Sequence, residues 1–341
     1  MKKSFLVGLT LIGLVLVAVL VLRAMDPDQQ AEQEKALEVG FLPVTCHLTC
    51  PVTDFATKTS TGFHYISKRF TDWPTVAEAF KSGRLHATFF VAPLAMKLVE
   101  QGVAAKIVYL GHRDGSTVIV HKDNPARDLR DLKGQRFAIP SRYSNQFLVI
   151  RKLMKDLGMS PTDLEFVEMA PPDMPGAIAA RSIAGYFVGE PHAAAAEVKG
   201  TGRVLHHAKD IWPQFISCVL VVSQKLMDEK PEVVRDLVRG IAESGEWAET
   251  HRDEAANLVA PYFRQDEKLI HFVLHQPPDR VSYRTLAPTD EEMMRIHDLG
   301  REVGILERDL KLSDFLDRSF IPTELQTPAA LETYQKTSNA P

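Results

Sequence analysis

Val39 to Phe55 reads VGFLPVTCHLTCPVTDF, and it holds two of the three cysteines in the chain, Cys46 and Cys50, with His47 between them. Thiols and an imidazole are the side chains here best suited to chemistry. A short apolar run ends at Pro43, and Pro51 opens a helical pattern, so the group sits where a strand gives way to a helix. Backbone amides at such a junction, with Thr45 and Thr49 beside them, suit a polar or anionic ligand. Three uses of Cys46, His47 and Cys50 follow from their types. They can contact a ligand directly, Cys46 and Cys50 can form a disulfide that shapes the loop, or the three can bind a soft metal with His192 or Cys218 completing the set. An undistorted helix would hold the two cysteine Cβ atoms too far apart for a disulfide. C-x-x-x-C with an internal histidine is a weak metal signature beside paired C-x-x-C motifs. A nucleophilic cysteine would need a base and oxyanion donors that the sequence does not display, so no catalytic residue is expected.

Other polar side chains fall at comparable junctions. Ser141 to Gln146 reads SRYSNQ, just after a strand and at the start of a helix. Tyr143, Ser144 and Asn145 are therefore candidates for ligand contact, or, for Ser144 and Asn145, simple helix caps. Glu190 and His192 follow another strand end, where Glu190 can accept from an amine on a ligand or cap the helix after Pro191. Of Phe89 and Phe90, alternation turns one towards the core, and Phe90 is assigned to the ligand side. Trp73 and Trp212 are expected to pack. His112, Arg113 and Asp114 read as a solvated turn, and His206, His207, His271 and His275 as surface residues without partners.

The elements that must position these groups alternate between strands and helices. Strand-like runs at Leu37–Leu42, Phe63–Phe70, Leu85–Ala92, Lys106–Gly111 and Thr117–His121 precede a second series at Arg136–Pro140, Leu164–Met169, Ile183–Val188 and Ser217–Ser223. Amphipathic helices are expected at Trp73–Ser82, Pro93–Gln101, Gln146–Leu157, Pro231–Thr250, Arg252–Phe263 and Asp290–Val303. Such alternation indicates an α/β protein with mostly parallel sheets. The 341 residues, 45% hydrophobic, suffice for two cores, and a net charge of -4 excludes a basic nucleic-acid surface.

At the N-terminus, Lys2 and Lys3 precede an uncharged run from Phe5 to Leu22. Eighteen helical residues span about 27 Å, enough to cross a bilayer core. Residues 1–24 are read as an uncleaved signal anchor or a cleaved signal peptide, 25–36 as a polar spacer and 326–341 as a polar tail. The positive flank places the rest outside the cytoplasm.

DLKGQRFAIP (Asp131 to Pro140), GEP (Gly189–Pro191), DIWP (Asp210–Pro213) and the helix from Pro231, in that order, make residues 37–325 similar to a family of ABC-transporter substrate-binding proteins. The group serves nitrate, bicarbonate, alkylsulfonates, taurine and thiamine-pyrimidine precursors. The resemblance implies a two-lobed type II periplasmic binding protein fold. Lobe 1 would comprise 37–118 and 218–325, with the C-terminal helices packed on it, and lobe 2 119–217. The crossings would fall near Val118–Asp123 and Gln214–Val219, with ligand in the cleft between lobes. It implies an exported solute-binding protein, without enzymatic activity or cofactor, that delivers a small polar or anionic ligand to a permease and its ATPase. Where nitrate and bicarbonate members are expected to carry hydroxyl or carboxylate residues after the first strand, this chain has Cys46, His47 and Cys50. The alternatives are a Cys/His metal or redox module, and an enzyme resembling thiamine-pyrimidine synthases.

Overall fold

The computed structural model describes residues 36–58 and 62–325. The segments read as anchor, most of the spacer and the tail lie outside the described residues. Among the described residues, no helix is long and apolar enough to cross a membrane.

Two five-stranded sheets carry the fold. The first is ordered β2 (His64–Arg69), β1 (Ala36–Phe41), β3 (Ala87–Val91), β11 (Cys218–Ser223), β4 (Ala105–Leu110). The second is ordered β10 (Gly202–His207), β6 (Ser116–His121), β9 (Gly185–Gly189), β7 (Arg136–Ile139), β8 (Glu165–Glu168). Each sheet is mostly parallel, with a single strand reversed: β11 runs antiparallel to β3 and β4, and β6 antiparallel to β9 and β10. These two are the strands that arrive from the other sheet. A chain passing straight across without a crossover helix enters the new sheet in the opposite sense. Burial follows position: β3, at the centre, is buried throughout, while edge strand β2 alternates.

Helices close both faces. They are α1 (Thr49–Thr57), α2 (Trp73–Lys81), α3 (Ala92–Glu100), α4 (Asn145–Asp156), α5 (Met174–Ala179), α6 (His192–Val198), α7 (Ala208–Ile211), α8 (Gln224–Glu229), α9 (Pro231–Thr250), α10 (Arg252–Phe263), α11 (Glu267–His275), α12 (Asp290–Glu302) and α13 (Leu312–Phe315). Their starts are chemically specified. Asp72 accepts from the Thr75 amide ahead of α2, and Thr289 and Glu292 form a reciprocal capping box on α12. In α9, Val234, Leu237, Val238 and Ile241 recur at three- and four-residue spacing and are fully buried. Each is worth roughly 1.5–3 kcal/mol in transfer free energy. That face packs on α1, and α10 packs beside it.

One expectation needs correction. The first crossing lies earlier than Val118–Asp123, because Ser116–His121 already pairs with β9 and β10. The passage is instead made by Gly111 to Gly115, pinned by the two-residue pairing of β5 (Arg113–Asp114) with β12 (Val281–Ser282) and by an Arg113–Ile216 bridge to the returning strand. The C-terminal helices pack on the first unit as expected and also extend further. α11 touches α6 and α12 touches α4, so the C-terminal layer reaches the second unit as well.

Candidate functional site

The loop after β1 meets the end of β9 across the junction of the two sheets. The Thr45 amide donates to the Glu190 carbonyl at 2.7 Å, and His192 Nε2 donates to the Pro43 carbonyl at 3.1 Å. Asn145, the first residue of α4, donates its amide to the Ile216 carbonyl on the returning strand. Gln146 bridges Ser116 and Ser217 through Nε2, at 3.0 and 3.1 Å. Arg280 lies 3.4 Å from Glu190 and 3.1 Å from Glu197. Apart from Gln146–Ser116, which lies within the second unit, these bonds join elements of different units or the hinge between them and seal the junction. Glu190 is fully occupied: it accepts from Thr117 Oγ1 at 2.8 Å and from the Ala194 amide at 2.8 Å. Burial raises its pKa, opposed mainly by Arg280.

Sealing leaves polar atoms behind. Asn145 Oδ1, Gln146 Oε1, His47 Nε2 and His112 Nδ1 are buried at or beneath this seam without a hydrogen-bond partner. Arg280 Nε and Nη1 share this state, and a buried polar atom without a partner costs about 1–3 kcal/mol, so the junction carries several unsatisfied groups together. The amide oxygens of Asn145 and Gln146 accept, and the Arg280 nitrogens donate. Burial holds His112 at about pKa 3 and His192 at about 4, so both rings are neutral.

Beneath the seam, Cys46, His47 and Cys218 bring their ligand atoms within 4.8 Å of one another. Gly111 allows this: a Cβ there would lie 2.0 Å from the Cys46 carbonyl oxygen. The His47 ring lies on Phe89 (5.1 Å between centroids) and meets Trp73 edge-on. The backbone fixes its protonation. The Leu42 amide donates to Nδ1 at 2.7 Å, so in the neutral ring the proton is on Nε2. A metal bound through Nε2 would need that nitrogen bare and the other one donating, which is the reverse arrangement. The donor set is compact but carries a proton where the ion would bind. Burial pushes the Cys46 thiol well up, as does its bond to Cys218. Burial also acts upward on Cys218, but donation from Cys46 and the nearby His47 bring it down to about 5. Cys218 is thus the acceptor of the pair.

The remaining expected residues separate. Cys50 leaves the group: its sulfur faces Ser67 at 3.4 Å and Val39, on the sheet side of α1, and burial pushes its pKa up to about 12. All three cysteines are free thiols, so the Cys46–Cys50 disulfide is absent, Cys50 pointing into the core and Cys46 towards Cys218. Phe90 packs edge-on against Phe80, and it is Phe89 that turns to His47. Ser144 caps α4, accepting from the Phe147 amide at 3.2 Å and donating to the Ser141 carbonyl at 2.6 Å, which leaves its hydroxyl locally engaged. Tyr143 is half-buried beside it. Thr45 lies in the seam, its hydroxyl 3.0 Å from His112 Nε2 and its carbonyl accepting from Tyr283. His112, Arg113 and Asp114 are buried rather than solvated, Arg113 pairing with Glu292 at 2.6 Å. His207 is not free either, its Nδ1 lying 3.2 Å from Thr117 Oγ1. Sequence reasoning missed Gln146, Ser116, Ser217, Arg280 and Tyr283. Only Gln146 carried a signal, as the residue following the SRYSN run.

A cavity of about 300 Å³ opens beside the seam between α4 and α12, lined by Asn145, Trp212, Ile216, Glu292 and Arg295. Arg295 lies 4.0 Å above the Trp212 ring. A wider groove of about 1030 Å³, lined by Asp123, Arg136 and Arg181, lies at the far end of the second sheet, away from the seam chemistry.

Two α/β units joined by crossing strands, with an unfinished polar seam between them, define the bilobed binding-protein fold. The chain belongs to the NMT1-like family, which it matches over residues 30–262. It is 26% identical, with a TM-score of 0.77, to the ligand binding component of an ABC-type import system from Staphylococcus aureus solved with zinc bound; the match covers 86% of this chain and all of that one. The periplasmic nitrate-binding protein NrtA from Synechocystis PCC 6803 has the same fold, with a TM-score of 0.74 at 13% identity over 90% of each chain. In sequence the chain is 26% identical over 240 residues to the nitrate import ATP-binding protein NrtC of Synechococcus elongatus, covering 65% of this chain and 36% of that protein. It thus spans about a third of that relative's length.

Proposed function

We propose that this chain is the extracytoplasmic ligand-binding component of an ABC-type importer, taking up a small polar molecule at the seam and handing it to a permease without chemistry. The observation that carries the reading is the set of partnerless buried atoms, Asn145 Oδ1, Gln146 Oε1, His47 Nε2 and His112 Nδ1, at and beneath a junction otherwise sealed by hydrogen bonds. Asn145 and Gln146, with His47 and His112 beneath them, are the residues we assign to ligand capture, while Thr45, Cys46, Glu190 and His192, already engaged, hold the seam around them. Two free amide oxygens beside Arg280, whose Nε and Nη1 also lack a hydrogen-bond partner, favour a ligand that carries both N–H or O–H donors and an acceptor or anionic group. In this reading lobe 1 is 36–110 with 218–325, lobe 2 is 116–207, and the segments between them are the hinge. The N-terminal apolar run tethers the protein to the outer side of the cytoplasmic membrane. Zinc accompanies the S. aureus relative, but the His47 proton disfavours the cysteine cluster as a zinc site here.

A thermal-shift panel tests the proposal, with amino-sulfonates, amino acids, ureas, sulfonates, nitrate and bicarbonate added to chelator-treated protein. A donor-bearing compound is expected to raise Tm by several degrees, as saturating ligand stabilises by about 3 kcal/mol at a hundredfold excess over Kd. Stabilisation that vanishes with chelator, or turnover of the compound, would contradict it.

A further inference from the structure

On the outer surface, α10 and α11 bring Asp253, His271 and His275 together, their ligand atoms within 4.8 Å of one another. His271 and His275 are four residues apart on one face of α11, with rings stacked at 6.1 Å and 16°. Each ring lies between two oxygens. His275 Nδ1 donates to the His271 carbonyl at 2.9 Å, leaving Nε2 bare and 3.4 Å from Asp253 Oδ1. His271 Nε2 lies 2.7 Å from Asn257 Oδ1, and its Nδ1 lies 3.0 Å from the same Asp253 oxygen. A neutral imidazole has one proton to give. With those protons held by Asn257 and the His271 carbonyl, two lone pairs face one carboxylate oxygen, an arrangement that a proton or a metal cation completes. The two separations from Asp253 Oδ1, 3.0 and 3.4 Å, are close to the edge of a zinc tetrahedron, about 3.3 Å for bonds of 2.0–2.1 Å. The outward N–H groups rest on oxygen acceptors, the support that metal-bound histidines ordinarily have.

We propose that Asp253 Oδ1, His271 Nδ1 and His275 Nε2 bind one divalent transition-metal ion of the zinc type, with Asn257 orienting His271 and water filling the open position. Two imidazoles and one carboxylate suit zinc, copper(II) or nickel over calcium or magnesium. The ion staples α10 to α11. Protons compete for the same nitrogens, and Asp253 and Glu267, 3.7 Å from His271 Nε2, are the acidic groups facing them.

The test is calorimetric titration of Zn²⁺ into chelator-treated protein at pH 7.5 and 5.5, with Co²⁺ absorption as a second readout. One equivalent is expected at pH 7.5, with affinity reduced at least about tenfold at pH 5.5. His275→Gln and Asp253→Asn are each expected to weaken binding at least about tenfold, and Asn257→Ala about tenfold. Their metal-free melting should stay near wild type, and the tetrahedral Co²⁺ band should be lost in His275→Gln. Absence of binding in wild type would overturn the proposal. So would zinc binding that survives His275→Gln and Asp253→Asn, or that is abolished by Cys218→Ser instead.

Discussion

Among the described residues lie two three-residue clusters of metal-ligating type, Cys46–His47–Cys218 beneath the seam and Asp253–His271–His275 on the surface, and they differ in how their imidazoles are hydrogen-bonded. In the first, the Leu42 amide occupies His47 Nδ1 and turns a protonated Nε2 into the cluster. In the second, the His271 carbonyl takes the outward proton of His275, and Asn257 Oδ1 lies 2.7 Å from the outward nitrogen of His271, an arrangement suited to turning lone pairs inward. Donor type and spacing are alike; the hydrogen bonds behind the ligands reverse their chemistry. One cluster is poised to donate to its surroundings, the other to accept a cation.

The largest effect is expected at Gly111. Gly111→Ala places a methyl 2.0 Å from the Cys46 carbonyl oxygen and must displace the loop that carries Cys46 and His47. Urea unfolding is expected to show a loss of about 3 kcal/mol. Zinc binding at the surface cluster should persist in whatever folds. Acid sharpens the contrast next. His192 is buried neutral with its pKa depressed from 6.5 to about 4, so the unfolded chain takes up its proton first. The stability this contributes is complete above pH 6.5 and is lost as pH falls towards 4, by about 3 kcal/mol. His112, held at about 3, acts in the same sense. His192→Gln is therefore expected to flatten the acid limb of a stability–pH curve recorded without zinc. The smallest effect separates neighbours. Ser144→Ala removes a cap and should cost about 1 kcal/mol without altering ligand affinity. Asn145→Ala removes the bond to Ile216 and should cost about 1–2 kcal/mol while also abolishing ligand stabilisation.

The bilobed fold was legible because it is written in local terms. The apolar runs of β1, β3 and β11 and the three- and four-residue spacing in α9 and α10 fall within a residue or two of the expected spans. What failed depended on direction or on distant partners. β3 is buried on both faces, so alternation could not tell Phe89 from Phe90. Cys46 lies in a turn ahead of α1 and Cys50 inside it, so their spacing said little about where each sulfur points. The first crossing was misplaced because STVIVH reads as strand in either sheet. His271 and His275 looked solitary because Asp253 and Asn257 come from the preceding helix. Nothing local marked Ser217, Arg280 or Tyr283, whose roles arise only when the hinge and the C-terminal segment meet.

The seam as a ligand site is tested most directly by native mass spectrometry of protein purified under non-denaturing conditions, wild type beside Asn145→Ala/Gln146→Ala. The account predicts a small organic mass on the wild type, released by denaturation and missing from the variant, with the fold of both intact by circular dichroism. The same mass retained by the variant, or a metal ion alone held at the cysteine cluster, would contradict it.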